Sequence, residues 1–172
     1  MMSPRRLFLF GFLFCLMMLG IAGYFQFSSD LEPCPLCILQ RVVTLALGIV
    51  FLLAALQNLK GFGIRFYGFI LTFIGAIGVA IAGRHVWLQS LPADQVPTCG
   101  PGLNFMLDNF PLSDTINMVL RGSGECAEVL WTLMGVSIPG WTLLAFILLT
   151  LIGFVQLFRK PQRSQSSLYG DL

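Results

Sequence analysis

The chain has 172 residues, of which 56% are hydrophobic and only 10% are charged. Soluble domains carry about 25% charged residues, so this composition excludes an ordinary soluble protein and indicates that lipid is the solvent. The net charge of +2 gives no support for nucleic-acid binding. Length and composition together predict an integral membrane protein with a single domain.

Four apolar segments are long enough to cross a membrane as helices, which takes about 20 mainly apolar residues. They cover residues 7–27, 38–59, 64–87 and 138–158. None of them alternates polar with apolar residues, as a barrel strand must. The first and third are rich in small residues, including Gly20, Gly23, Gly75 and Gly78, which let helices pack closely in lipid. The sequence therefore predicts an all-α membrane protein built as a four-helix transmembrane bundle.

The lysine and arginine residues indicate the orientation, because loops on the cytoplasmic side are enriched in them. With four spans, both termini and the loop between the second and third spans share one side. Seven of the ten basic residues belong to that side: Arg5, Arg6, Lys60, Arg65, Arg159, Lys160 and Arg163. We therefore expect cytoplasmic termini, outer loops at residues 28–37 and 88–137, a transmembrane domain over residues 1–160 and a disordered tail over residues 161–172.

The long outer loop is predicted to contain one short amphipathic helix. In the stretch 125–134 the acidic residues come first and the apolar residues follow at helical spacing. We expect this helix to lie on the outer membrane surface, with Trp131 at the depth of the lipid headgroups. A loop helix packed on the bundle is an equally good interpretation of the same pattern.

Four of the five cysteines lie on the outer side, where an oxidising compartment favours disulfides. Cys34 and Cys37 form a C-x-x-C motif where the chain begins the second span, and the amides of a helix N-terminus favour a thiolate there. Cys99 and Cys126 lie in the long outer loop, with only each other or the first pair as partners on that side. Cys15 lies within the first span and is expected to act as a small apolar residue.

Three ionisable residues near the outer membrane surface are candidates for function, because such groups are costly at membrane depth. Arg41 follows Cys37 by four residues and shares its helix face, so its charge favours a thiolate or an anionic ligand. His85 and Arg84 lie near the outer end of the third span. Snorkelling of a side chain from a helix end to the headgroups is the alternative explanation.

Several motifs together resemble the disulfide bond formation protein B family (DsbB). They are the four spans with inside termini, the string CPLCILQR at residues 34–41, and the second cysteine pair in the long outer loop. The strings GECAE at residues 124–128 and PGW at residues 139–141 are similar to that family as well. The resemblance covers most of the chain, from the first span to the fourth.

The resemblance implies a quinone-dependent thiol oxidase of the bacterial inner membrane that supports disulfide bond formation. A reduced thioredoxin-like partner in the periplasm, DsbA, would attack Cys99 of a Cys99–Cys126 disulfide. Cys126 would then reach Cys34, leaving Cys37 as a thiolate beside ubiquinone, with menaquinone as the alternative. The resemblance also implies that two residues contact the quinone: Arg41 corresponds to a family arginine beside the quinone ring, and His85 to a family histidine.

The outer cysteines also allow other interpretations. The four outer cysteines would be structural staples in a non-enzymatic tetraspan scaffold, although a C-x-x-C motif is more often redox-active or metal-binding. A four-cysteine zinc site usually has two short C-x-x-C spacings, so no metal is predicted. Vitamin K epoxide reductases, another class of four-helix enzymes, place their C-x-x-C on the last helix. Here the motif opens the second helix, which argues against that class. The pairing at rest stays open, between Cys34–Cys37 with Cys99–Cys126 and a Cys34–Cys126 bond.

Overall fold

The computed structural model describes residues 3–28, 33–57, 61–92, 94–96, 105, 108–122, 124–129 and 131–159. Four helices among them are long and apolar enough to cross a membrane, which confirms the four-helix membrane bundle and indicates a multi-pass membrane protein. Cys99 and the predicted tail lie outside the described residues. In chain order the elements are α1 (Pro4–Ser28), α2 (Pro35–Leu56), α3 (Phe62–Gln89), α4 (Leu112–Arg121), α5 (Gly124–Ala127), β1 (Thr132–Leu133), β2 (Val136–Ser137) and α6 (Ile138–Leu157).

Helix α2 begins at Pro35, three residues before the predicted start of the second span. Proline suits the first turn of a helix because its missing N–H would have no helical partner there. Cys34 is the N-cap in an extended conformation, and its sulphur accepts a hydrogen bond from the backbone N–H of Cys37. The C-x-x-C motif therefore straddles the helix boundary, with Cys34 before the first turn and Cys37 within it.

The spanning helices pack in chain order, and the most extensive contact joins α3 to α6. Helices α1 and α2 pack against each other, α2 packs against α3, and α1 makes only a small contact with α6. Fully buried apolar side chains fill these contacts, whereas apolar side chains are exposed on the outside of the bundle. An apolar exterior is what a lipid solvent permits.

Glycines bring α3 and α6 into close approach, as the small residues of the third span predict. A Cβ atom on Gly78 would lie 2.6 Å from the Phe146 ring, and one on Gly68 would lie 2.8 Å from the backbone nitrogen of Leu157. The small residues that suggested close packing of the first span behave differently. Gly20 and Gly23 have open space beside them, so α1 does not use them to approach another helix.

The helix predicted over residues 125–134 is wrong. Helix α5 ends at Ala127, and β1 and β2 then form a hairpin in which Thr132 pairs with Ser137. The turn between the strands has positive φ at Met134 (54°) and Gly135 (79°), the combination that a type I′ turn requires. Residues 132–134, the last part of the predicted helix, therefore belong to this hairpin.

The amphipathic helix of the outer loop is α4, which comes before the predicted stretch. It buries Thr115 and Val119 and has Asp114 in its first turn, where a negative charge complements the helix dipole. Gly122 ends it with a φ of 84°. Glycine adopts this left-handed conformation readily, so the sequence did contain a signal for the end of α4.

Candidate active site

The two sulphurs of the C-x-x-C motif are in contact at the outer end of α2. The thiol of Cys34 donates a hydrogen bond to Cys37 Sγ at 2.9 Å, so only a small approach is needed to form a disulfide bond of about 2.05 Å. The two side chains differ in exposure, because Cys34 is buried and Cys37 is half-buried. Cys37 is therefore the sulphur of this pair that is easier to reach from outside the bundle.

Cys34 is held as a thiol in this arrangement. A hydrogen bond from Cys126 lowers the pKa of Cys34, but the hydrogen bond to Cys37 and burial of the side chain outweigh it and raise that pKa to about 12. Because Cys34 donates its S–H to Cys37, the pair is arranged for negative charge on Cys37 rather than on Cys34. Cys37 also lies in the first turn of α2, where the amides of the helix N-terminus favour a thiolate.

Helix α5 brings Cys126 from the outer loop to the C-x-x-C motif. The helix packs against α2 and α3, and the Cys126 side chain is only 1% exposed. It forms a hydrogen bond with the Cys34 side chain. Three of the four cysteines predicted to take part in the chemistry thus meet at one place, and the fourth, Cys99, lies outside the described residues.

The structure places His85 against the cysteines. Its side chain, 2% exposed, extends from α3 so that Nε2 lies 3.8 Å from Cys34 Sγ. The ring also forms a hydrogen bond with the backbone of Cys126. His85 therefore contacts both the buried cysteine of the motif and the segment that carries Cys126.

Gln40 lies beside the candidate site residues and was not among those predicted from the sequence. Its amide Nε2 lies 3.1 Å from His85 Nδ1, and the side chain is 5% exposed. The available signal was a polar residue in the apolar second span, next to Arg41, at a depth where polar groups are expected to have a function. Gln40 is not ionisable, so it was not among the ionisable candidates.

The two arginines near this site make different contacts. The Arg41 guanidinium donates to Gln26 Oε1 and, at 3.0 Å, to the backbone oxygen of Ala22, which ties α2 to the outer part of α1. Arg41 is also close enough to the Cys37 sulphur to interact with it electrostatically. Arg84 instead donates to two backbone oxygens at the end of α4, so it supports the outer loop.

Comparison with known proteins assigns the family. The family model described as Disulfide bond formation protein DsbB matches residues 4–156. This chain belongs to the DsbB family. Among similar relatives named Disulfide bond formation protein B, that of Nitrosococcus oceani is 61% identical over 92% of this chain and 94% of its own length. That of Methylococcus capsulatus is 52% identical over 84% and 88%, and that of Hahella chejuensis is 50% identical over 94% and 98%.

Membership of the DsbB family makes this chain a disulfide-forming oxidoreductase. The same cysteines and histidine could also be metal ligands. The ligand atoms of Cys34, Cys37 and His85 lie within 4.8 Å of one another. Such a group is able to bind a zinc ion, and the absence of a metal site stays a prediction. A metal bound there would occupy both thiolates that disulfide formation needs.

Proposed function

We propose that this DsbB-family chain is a quinone-dependent thiol oxidase that reoxidises a periplasmic thioredoxin-like partner of the DsbA type. The observation that supports it best is the meeting of Cys126 with Cys34 and Cys37 at the outer end of α2. A cysteine from an outer loop, buried against a C-x-x-C motif, suits transfer of a disulfide from the motif to a loop that a soluble protein can reach.

The relay consists of thiol–disulfide exchanges, in which one S–S bond breaks as another forms. A thiolate of the reduced partner attacks Cys99 of a Cys99–Cys126 disulfide, and Cys126 leaves as a thiolate. Cys126 attacks Cys34 of a Cys34–Cys37 disulfide, and Cys37 leaves as a thiolate. The partner's second thiolate attacks its own sulphur bonded to Cys99, which releases the oxidised partner. Cys99 then attacks Cys126 and Cys34 leaves, so that two electrons have reached the C-x-x-C pair.

The residues at the outer end of α2 fit a quinone as the final acceptor. When bound, a quinone supplies a site for two electrons and two protons, which turns the C-x-x-C dithiol back into a disulfide. The guanidinium of Arg41 has five N–H donors, and its two described hydrogen bonds leave donors for a quinone carbonyl. Arg41 and His85 are the proposed binding residues, with ubiquinone as the proposed cofactor and menaquinone as the alternative.

A membrane-soluble oxidant also suits the energetics of the reaction. A strongly oxidising thioredoxin-like protein has a potential near −120 mV, against about −270 mV for thioredoxin itself. Regenerating it with an ordinary protein disulfide at the lower potential would be unfavourable by roughly 7 kcal/mol. An acceptor of high potential removes this cost, which gives the catalyst a reason to lie in a lipid bilayer.

We further propose the inner membrane, with both termini cytoplasmic and the cysteine site on the periplasmic side. The distribution of basic residues supports this orientation. The N-terminus of α2, the C-terminus of α3 and the loop elements α4 and α5 lie at the same end of the bundle as the cysteines. That end is where a periplasmic thiol protein would meet the membrane.

Quinone reduction in detergent tests the proposed function. The purified chain is supplied with a reduced thioredoxin-like partner and ubiquinone, and quinone absorbance is followed. We expect turnover by the intact chain, loss of turnover in Cys37→Ser and Cys99→Ser, and a retained rate in Cys15→Ala, a control for a buried cysteine within α1. Failure of the intact chain to reduce quinone would refute the oxidase and favour the scaffold with structural disulfides.

A further inference from the structure

Gln40 and His85 form a buried polar pair between α2 and α3. Both side chains are almost completely buried, and their contact of 3.1 Å joins Gln40 Nε2 to His85 Nδ1. The hydroxyl of Thr44, one turn further along α2, donates to the backbone oxygen of Gln40 at 2.8 Å. That bond uses the backbone of Gln40, so the side-chain amide is free to contact the histidine ring.

The chemistry of this contact determines where the ring proton lies. An amide nitrogen only donates, so with the Gln40 amide in this orientation His85 Nδ1 accepts and carries no proton. In a neutral imidazole the proton is then on Nε2, which lies 3.8 Å from Cys34 Sγ. The ring also hydrogen-bonds the backbone of Cys126, so its single N–H is shared between that backbone and the Cys34 sulphur. A ring with the opposite tautomer would present a lone pair to the Cys34 thiol instead of an N–H group.

We propose that Gln40 is a positioning residue that holds His85 in the Nε2–H tautomer, so that the ring N–H stabilises negative charge on the Cys34 sulphur. This inference rests on the proposed function and assigns a role to a residue that acts through His85. The histidine contacts the reacting sulphur, whereas the described hydrogen bond of the Gln40 side chain is to the histidine ring.

The N–H group is needed at the step in which Cys34 is the leaving sulphur. When a thiolate attacks Cys126 of the Cys34–Cys126 bond, the S–S bond breaks and its electron pair stays on Cys34. A hydrogen bond to a charged group is stronger than one to a neutral group, so the Nε2–H stabilises the departing thiolate more than the disulfide. The proton stays on the ring, and the step needs no further reactant.

Burial makes this stabilisation important. A thiolate surrounded by apolar side chains has lost the hydration that would stabilise it in water, and Cys34 is 9% exposed. The Cys37 sulphur, by contrast, is half-buried and lies near the Arg41 guanidinium. The two cysteines of the motif would then have separate stabilising groups, with the histidine on α3 serving Cys34 and the arginine on α2 serving Cys37.

Nitrogen NMR of the ring tests the tautomer directly. The chain contains a single histidine, so ¹⁵N-histidine labelling of the full-length reduced protein in detergent gives signals from His85 alone. We expect a protonated Nε2 and an unprotonated Nδ1 at pH 8. A ring protonated at Nδ1, or at both nitrogens, would overturn the proposal, even if the protein reduces quinone normally.

Three variants separate the role of Gln40 from general packing. Gln40→Met removes the amide at similar volume and should shift the ring away from pure Nε2–H. Gln40→Glu replaces the donor by an acceptor and should place a proton on Nδ1. Thr44→Val alters the neighbouring polar residue without touching the ring and should leave the tautomer unchanged. An unchanged His85 tautomer in Gln40→Met would overturn the proposal. If that variant does not fold, the tautomer measured in the native protein is enough to test the proposal.

The reactivity of Cys34 gives a second measurement that does not depend on quinone. In fully reduced Cys37→Ser protein, alkylation of Cys34 is followed peptide by peptide with mass spectrometry. Loss of a hydrogen bond to a charged sulphur should slow alkylation by about tenfold when Gln40→Met is added. Thr44→Val should not slow it. Equal rates with and without Gln40→Met would show that the amide does not act on Cys34, whatever the outcome of the oxidase assay.

Discussion

At the scale of single residues, Cys34 has neighbours with opposite effects on its ionisation. The hydrogen bond from Cys126 lowers the pKa of Cys34, whereas the hydrogen bond to Cys37 and burial raise it. The resulting pKa of about 12 keeps Cys34 protonated at neutral pH. The same thiol would thus gain or lose reactivity according to which of its two sulphur neighbours is present and reduced.

Removal of Cys126 and removal of Cys37 should have opposite effects on the rate at which Cys34 is alkylated. In fully reduced protein we expect Cys126→Ala to slow alkylation and Cys37→Ala to speed it, each relative to the intact chain. The rate for the intact chain should rise about tenfold per pH unit up to a pH near 12. Peptide-level mass spectrometry across pH 7 to 11 measures the alkylation rate. A change in the same direction in both variants would contradict the opposite effects of Cys126 and Cys37 on the pKa of Cys34.

Arg41 should affect the use of quinone more than the exchange of thiols. Arg41→Lys keeps the charge but cannot reproduce the contacts of a planar guanidinium with Gln26 and Ala22. We expect the KM for ubiquinone to rise by about tenfold, since one charge-assisted hydrogen bond is worth roughly 1.5 to 3 kcal/mol. The single-turnover rate with the reduced partner should stay close to that of the intact chain, and a fall in that rate alone would place Arg41 in the thiol relay.

At the scale of secondary-structure elements, Arg84 connects α3 to the outer loop. Its guanidinium lies 4.3 Å from the centre of the Trp87 ring and donates to the backbone oxygens of Leu120 and Arg121 at 3.2 and 3.1 Å. The last carbonyls of a helix have no hydrogen-bond donors within the helix. Arg84 supplies donors to two of these carbonyls at the end of α4. Two residues separate the end of α4 from α5, and the position of Cys126 therefore depends on this cap.

Replacing Arg84 should impair delivery of electrons from the loop. Arg84→Met keeps the apolar stem but removes the cap of α4, and we expect slower oxidation of the protein partner. Quinone reduction driven by a small dithiol, which can reach the half-buried Cys37 without the loop, should change little. Arg65→Met is the matched control, since Arg65 caps Arg159 near the other end of the bundle. Equal loss with both reductants would indicate general unfolding.

The elements differ in how far the sequence predicted them. The spans needed only apolar length, so α1, α2, α3 and α6 were predicted with ends that shift by a few residues. The outer loop depended on backbone conformation, because the turn at Met134 and Gly135 reverses a stretch whose apolar spacing is helical. Cys34, Cys37, Cys126 and His85 were named as candidates from the sequence. Their contacts with one another could not be, because these contacts join elements that are distant in sequence. Gln40 becomes a candidate only when α3 is known to lie beside it.

At the scale of the whole molecule, the bundle depends on the contact between α3 and α6. This contact is the most extensive between any two described elements, and glycines permit it by leaving room for side chains and backbone of the opposite helix. Close packing is a main source of helix association in lipid, where the hydrophobic effect between helices is small. The unity of residues 1–160 as one domain stays a prediction.

Gly78 provides a test of this contact. A valine there would bring its Cβ within 2.6 Å of the Phe146 ring, and overpacking of this kind typically costs about 1–3 kcal/mol. We expect Gly78→Val to lower the thermal unfolding midpoint in detergent. Gly83→Val, at a position of α3 with open space beside it, is the control, and an equal loss in both would attribute the effect to helix propensity.

The pairing of α3 with α6 also has a consequence for biogenesis. The chain is made from its N-terminus at about 5–20 residues per second, so α1 and α2 enter the membrane as a hairpin that already holds Cys34 and Cys37. Helix α3 has no α6 to pack its glycine face against until the last span has been made. The nascent protein therefore acquires its C-x-x-C pair early, and α3 gains its main packing partner only with the last span.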